Sequence, residues 1–141
     1  MTEKEKRAYI KSAFQNYVRN KKKLEIINCP VLGGACSLRP SVVSDKSQNT
    51  VENTLIRYID EKEEIERKIE IVKRTIEHYR IEDKKHGGEG KEKYIINRWI
   101  NLHGYRSAAY RSHISERAAA YWIQEIFYTA QVIAEEYKLF P

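Results

Sequence analysis

A polar turn followed by an alanine-rich segment is the part of the chain best suited to recognition chemistry. It reads Ile-Ser-Glu-Arg-Ala-Ala-Ala-Tyr-Trp over residues 114–122. Ser115 has a side-chain oxygen that can accept from the free N–H groups of a helix start, and Glu116 suits the positive first turn. The preceding segment 107–113 can form a short helix, and two helices joined by a tight turn form a helix-turn-helix. The spacing therefore predicts a DNA-reading helix after Ser115, although an ordinary all-α protein with a Ser cap has the same pattern.

Side chains on the polar side of this helix are predicted to meet base edges, and they are Glu116, Arg117, Ala120, Tyr121 and Gln124. Arginine pairs bidentately with guanine and glutamine with adenine, while a tyrosine or alanine surface touches thymine or sugar. Arg117 is the foremost candidate because it lies in the first turn after the cap. A second set is predicted to contact phosphates, which fixes register without reading sequence. It comprises Arg98, Arg106, Arg111 and Ser115. The alternative is that the arginines are ordinary surface charges and that Tyr121 extends the core.

The charge distribution is compatible with a nucleic-acid partner. The 141 residues include 26 Lys and Arg against 20 Asp and Glu, a net charge of +6. Residues 1–29 have 8 basic and 3 acidic groups, and residues 84–113 have 7 basic and 2 acidic groups. The segment 114–141 has only 2 basic groups and has 4 acidic ones. Little of the positive charge therefore lies in the predicted reading helix itself, which disfavours a tightly binding monomer.

Several classes of function lack their residue patterns. No stretch approaches the ~20 apolar residues that cross a bilayer, and no signal peptide opens the chain, so we expect a cytoplasmic protein without a membrane partner. Cys29 and Cys36 are the only cysteines, and the histidines have no matching pair spacing, which disfavours a metal site. The chain also lacks a nucleophile–base pair, paired carboxylates in an apolar context and a phosphate loop. We therefore predict neither an enzyme nor a bound cofactor.

Hydrophobic spacing predicts an all-α fold whose N-terminal half contains two long helices. The first covers about residues 2–28 and has an apolar seam at Ile10, Phe14, Tyr17 and Leu24. Residues 30–50 are rich in Pro, Gly and Ser and are predicted as an irregular loop. The second helix covers about residues 51–83 and has a heptad seam with steps of four and three. The seam comprises Val51, Leu55, Tyr58, Lys62, Ile65, Ile69, Val72, Ile76 and Tyr79.

A long helix with so narrow an apolar seam needs a partner. The first helix can fold back on it as a hairpin within one chain, which we favour because the two lengths and seams match. The alternative is a homo-oligomer in which two copies pair through the 51–79 seam. Residues 84–90 are rich in glycine and are predicted as a linker. The chain thus divides into a helical hairpin or coiled-coil region over 1–83 and a helix-turn-helix domain over 91–141.

Two apolar faces are predicted to form the core of the C-terminal domain. The first comprises Tyr94, Ile95, Trp99 and Leu102. The second lies on a helix predicted from Glu116 to about Leu139 and comprises Ala119, Trp122, Ile126, Ala130, Ile133 and Tyr137.

The order of these features resembles a known family. A basic N-terminal helix, a loop ending in Ser-Gln-Asn-Thr-Val-Glu-Asn and a charged coiled-coil helix are followed by Lys-Tyr-Ile-Ile-Asn-Arg-Trp and by the 114–122 segment. This order resembles the phage and prophage transcriptional regulators of RinA/ArpU type, whose C-terminal part is similar to the helix-turn-helix of sigma factors. The order of elements resembles the family over nearly the whole chain, and the sequence motif resembles it over about residues 92–127. The chain departs from the motif at Ser112, where a leucine is usual, and at Ala108 and Ala109, where a larger aliphatic residue is common.

The resemblance implies activation of phage late genes in a bacterial cytoplasm, through double-stranded promoter DNA and RNA polymerase. By position, it implies that Ser115 is the cap, that Arg117 and Tyr121 face DNA, and that Ala119 and Trp122 belong to the core. Two other functions stay open. One is a DNA-packaging adaptor of small-terminase type, which works as a ring. The other is an interaction protein that binds a partner through the heptad seam and has no affinity for DNA.

Overall fold

The computed structural model describes residues 1–28, 48–85 and 90–141, and for residues 48–56 and 58 it describes only the helical backbone. Regular structure in this part of the chain is helical throughout, which confirms the all-α prediction. In chain order the elements are α1 (Glu3–Gln15), α2 (Tyr17–Ile27), α3 (Gln48–Lys85), α4 (Lys91–Ile95) with a π-helical extension (Ile96–Ile100), α5 (Tyr105–Arg111) and α6 (Glu116–Glu136). Cys29, Cys36 and most of the predicted loop and linker lie outside the described residues.

The N-terminal helix predicted over about residues 2–28 is divided in two at Asn16. Its start is fixed by a capping box, in which Thr2 Oγ accepts from the Glu5 backbone N–H and the Glu5 carboxylate accepts from the Thr2 N–H. At Asn16 the backbone leaves helical geometry (φ −104°, ψ 13°), and the Asn16 amide donates to Ser12 Oγ at 3.2 Å. Short polar side chains that bond locally compete with the regular helix, which accounts for the division.

Helix α3 is the longest element, and it packs against α1, α2, α4 and α6 of its own chain. Its 38 residues give it a length of about 57 Å. Ile69 and Val72 of the predicted seam are buried, but Ile71 and Thr75 beside the seam are completely buried as well. The buried face of α3 is therefore wider than the heptad seam, since the N-terminal helices and α6 both cover it. The side chains of Val51, Leu55 and Tyr58 lie outside the described residues.

One hydrophobic core joins the two regions into which the sequence divides the chain. It contains Phe14 of α1, Val72 of α3, Trp99 of the π-helical extension and Ile126 of α6. The Phe14 ring lies 4.9 Å from the Trp99 ring and 5.4 Å from the Phe127 ring, measured between centroids. Helices α1 and α6 are therefore direct neighbours, and the C-terminal helices rest on the N-terminal ones.

Two residues predicted for the core lie at the surface instead. Leu102 is 63% exposed, because the helix that begins at Lys91 widens into π-helical geometry and ends at Ile100, after which Leu102 adopts a left-handed conformation (φ 58°). Tyr137 is 49% exposed, because α6 ends at Glu136 and Tyr137 caps it. The guanidinium group of Arg74 lies 3.9 Å from the centroid of the Tyr137 ring, so this side chain packs against a cation at the core margin.

Candidate nucleic-acid interface

Helices α5 and α6 are joined by a four-residue turn with a defined geometry. Helix α5 ends at Arg111, and His113 adopts a left-handed conformation (φ 60°) after the Ser112 C-cap. The His113 N–H donates to the Tyr110 carbonyl, and the Ile114 N–H donates to the Ala109 carbonyl, both at 3.1 Å. This pair of bonds is a Schellman motif, which satisfies the last carbonyls of a helix and reverses the chain sharply. The turn therefore sets the angle at which α6 leaves α5.

Helix α6 begins at the residue that the sequence indicates. Ser115 is the N-cap, and its Oγ accepts from the Ala118 backbone N–H at 3.1 Å. Glu116 follows in the first turn, where a carboxylate interacts favourably with the helix dipole. The start of α6 is held further by the Tyr105 hydroxyl of α5, which donates to the Glu116 backbone carbonyl.

Small residues line the contact between α5 and α6. Ala108, Ala109 and Ala119 are buried at this contact, each at most 1% exposed. Ser112 is also buried, and its Oγ accepts from the Asn97 side-chain amide at 3.2 Å. Small side chains let helices approach closely, and the Asn97 bond satisfies the one polar group among them. The bond between Asn97 and Ser112 thus ties the end of α5 to the π-helical extension.

The five predicted base-reading residues all lie exposed on α6, and they are Glu116, Arg117, Ala120, Tyr121 and Gln124. The opposite side of the same helix is core, with Ala119 and Ile126 completely buried. Trp122, a residue predicted for the core, is half-buried and packs against it. Tyr121 is 61% exposed, so its ring does not extend the core. An exposed aromatic ring beside an arginine and a glutamine is a surface suited to base edges.

The predicted phosphate-contacting residues occupy different environments. Arg106 and Arg111 are exposed on α5, and the Arg106 guanidinium forms an ion pair with the Glu116 carboxylate at 3.2 Å. Arg98 is instead half-buried, with its guanidinium about 6 Å from the centroids of the Trp99 and Tyr105 rings. The structure therefore places Arg106, Arg111 and Ser115 on the surface around the start of α6, whereas Arg98 packs beneath it.

Lys91 connects the interface to the core in a way that the sequence does not reveal. Its ammonium group lies 2.7 Å from the Glu125 carboxylate of α6. It also lies over the rings of Tyr79 and Trp122, 5.7 and 5.8 Å from their centroids. Helix α4 is thereby fixed against both α3 and α6. The only signal in the sequence is that Lys91 follows a glycine at a helix start, and this does not identify its partners.

The tyrosines beneath the interface have perturbed proton affinities. Burial raises the pKa of Tyr94, whose side chain is completely covered, and the neighbouring Arg98 charge opposes that shift. Burial also raises the pKa of Tyr79, whose hydroxyl lies 2.8 Å from Thr129 Oγ1 on α6. Both phenols stay neutral at physiological pH. Tyr79 supports α6 through the hydrogen bond to Thr129, whereas Tyr94 supports it by packing, with its ring 6.3 Å from the Trp122 ring between centroids.

Neither a three-ligand metal site nor a membrane-spanning helix occurs in residues 1–28, 48–85 and 90–141. No group of three His, Cys, Asp or Glu side chains in these ranges could hold a metal ion. None of the helices in the same ranges is both long and apolar enough to cross a membrane. Comparison of the chain with protein-family models, with curated proteins and with solved structures gives no match.

Proposed function

We propose that this chain is a sequence-specific DNA-binding transcriptional regulator of phage or prophage genes, which reads the major groove with the first turns of α6. The observation that carries the proposal is the exposed stripe of Arg117, Tyr121 and Gln124 on a helix capped by Ser115. A helix-turn-helix presents the N-terminal residues of its second helix to base edges in this manner. The resemblance to regulators of RinA/ArpU type supports activation of late genes in the bacterial cytoplasm, with RNA polymerase as a second partner.

The chemistry of the exposed side chains determines which of them contact bases and which contact phosphates. Arg117 forms no ion pair within the described part of the chain, so its guanidinium is available for bidentate hydrogen bonds to guanine. Glu116 is paired with Arg106 at 3.2 Å, and this pair holds Arg106 beside the start of α6. Arg106 and Arg111 then contact phosphates on the strand that flanks the reading helix. Base contacts supply specificity in this arrangement, and phosphate contacts supply register.

The test is duplex DNA binding with a matched control. A site is first selected from a random duplex pool, and its affinity is then measured by fluorescence anisotropy beside that of random duplex. We expect Arg117→Ala to weaken binding to the selected site by about 5- to 150-fold, the equivalent of roughly 1–3 kcal/mol, and to leave binding to random duplex nearly unchanged.

The control is Arg57→Ala, which removes the same charge from an exposed position on α3. Tyr79 marks where α3 meets α6, and Arg57 lies about 33 Å from it along the helix. We expect the control to bind both duplexes like the wild type. If the wild type binds no duplex even at low salt, the regulator proposal is wrong, and a protein partner of α3 becomes the next candidate.

A further inference from the structure

A groove between α1 and α6 adjoins the exposed stripe of Arg117, Tyr121 and Gln124. It has a volume of about 570 Å³, and its floor includes Ile10 and Phe127. One wall is formed by Arg7 and Lys11 of α1. The other is formed by Gln124, Tyr128 and Gln131 of α6. Sequence reasoning does not find this groove, because its walls are more than a hundred residues apart in the chain.

The groove continues the stripe that begins at Arg117. Arg117, Tyr121, Gln124 and Tyr128 are spaced at steps of four, three and four, so they lie on one face of α6. All four are exposed, Tyr128 at 70%. Along the helix axis, Gln124 lies about 10 Å and Tyr128 about 16 Å from Arg117. The major groove is about 12 Å wide, so a helix that enters it by its first turns meets a phosphate strand at that distance.

The charges in the groove favour an anion. Within the described part of the chain, Arg7 and Lys11 form no ion pair, and both are exposed. Glu3 is the one acidic residue among those that line the groove, and its carboxylate accepts from the Gln131 amide at 2.7 Å. The Lys6 ammonium group lies 3.7 Å from Glu3 and 3.0 Å from Glu135. Arg7 and Lys11 therefore give the lining a net positive charge. Two unpaired cations one helical turn apart, about 6 Å along α1, span roughly two successive phosphates of one DNA strand.

We propose that this groove holds the DNA phosphate backbone on one side of the reading helix, with Arg7 and Lys11 as phosphate contacts and Tyr128 against the sugar. This inference rests on the proposed function, since it requires α6 to lie in the major groove. It also gives a physical role to the excess of positive charge in residues 1–29, because α6 itself has little positive charge with which to hold DNA. The N-terminal helix would then be part of the DNA-binding surface.

The salt dependence of binding tests this inference separately from sequence reading. Each lost phosphate contact lowers the slope of log affinity against log salt by about 0.9. We expect Arg7→Gln with Lys11→Gln to lower the slope by about 1.8, so that the loss of affinity between about 50 and 200 mM salt becomes roughly tenfold smaller than in the wild type. The preference for the selected site over random duplex should stay at the wild-type value.

The matched control is Arg19→Gln with Lys22→Gln, which removes one arginine and one lysine from exposed positions on α2. It should keep the wild-type slope to within about 0.5. If the wild type binds duplex but the groove variant keeps the wild-type slope, this inference is wrong while the proposed function stands, and an acidic protein segment becomes the candidate occupant. If the wild type binds no duplex, both proposals are wrong. Because both substitutions are on the surface, the circular dichroism spectrum of the variant should match that of the wild type.

Discussion

His113 determines how the chain passes from α5 into α6. The position requires a positive φ, which costs a non-glycine residue about 1–2 kcal/mol relative to its usual conformations. Glycine commonly fills this position of a Schellman motif, whereas here a histidine does. Its two neighbours keep His113 in this conformation, because Ser112 is buried and Ile114 packs against the core. Helix α6 is therefore oriented by a turn that is not at its energy minimum.

We expect His113→Gly to raise the free energy of unfolding by about 0.5–1 kcal/mol. Removal of the Cβ relieves the left-handed strain, and the greater backbone freedom of glycine in the unfolded chain offsets part of the gain. Guanidinium unfolding followed by circular dichroism measures the change. His78→Gly, on the exposed face of α3, should instead lower the stability, since it places glycine within a helix. A stability loss in His113→Gly would show that the imidazole itself contributes to the turn.

Helix α6 belongs both to the core and to the exposed surface. It contacts α1, α3 and α5, and its polar side bears the exposed stripe of Arg117, Tyr121 and Gln124. The Tyr79 hydroxyl and the Lys91 ammonium group attach it to α3 and α4. A helix held on three sides cannot rotate about its axis without breaking the core. The stripe therefore keeps one orientation relative to α5 and to the groove formed with α1.

At the element scale, we expect Phe14→Ala to lower the free energy of unfolding by about 3–5 kcal/mol. Phe14 is completely buried, and its ring contacts Trp99 and Phe127, so truncation leaves a cavity between α1 and the C-terminal helices. Far-ultraviolet circular dichroism and tryptophan fluorescence should shift to lower denaturant together. Gln15→Ala, at the neighbouring exposed position, should leave both transitions in place. A fluorescence transition that did not move would mean that the C-terminal helices fold independently of α1.

The elements that the sequence predicts well are those fixed by local spacing. The cap at Ser115 and the exposed stripe on α6 depend on residues within two helical turns, so the sequence pattern predicts both. The surface position of Leu102 depends on a π-helical segment, which changes the register in a way that periodicity does not signal. The groove beside Tyr128 depends on which helix packs against α6, and a heptad pattern in α3 says nothing about that choice. The sequence therefore predicts the helix cap and the exposed face of α6, but it does not predict which helices pack against each other.

For the whole molecule, the buried phenols make stability sensitive to alkaline pH. Burial is the largest cause that raises the pKa of four tyrosines, namely Tyr9, Tyr17, Tyr79 and Tyr94. Each stays protonated in the folded chain at a pH where the unfolded chain ionises. A raised pKa in the folded state gives a contribution to stability that is complete below the unfolded value and is lost as pH rises through the folded value.

We therefore expect the free energy of unfolding to be nearly independent of these four groups below about pH 10 and to fall above it. Near-ultraviolet absorbance should show the four buried tyrosines ionising only as the chain unfolds. Tyr79→Phe should reduce the alkaline loss by removing one of the four groups. Ionisation of these four tyrosines near pH 10, without unfolding, would contradict the prediction.

Helix α6 has a buried side and an exposed side, and the two sides tolerate substitutions differently. Its buried side, with Ala119, Ile126 and Ala130 completely covered, constrains those positions by packing. Arg117 and Gln124 are exposed, and substitutions there cost little stability because they leave every core contact intact. A descendant of this protein can therefore acquire a different recognition surface by changing a few exposed side chains, while it inherits the fold, the turn and the orientation of the helix unchanged.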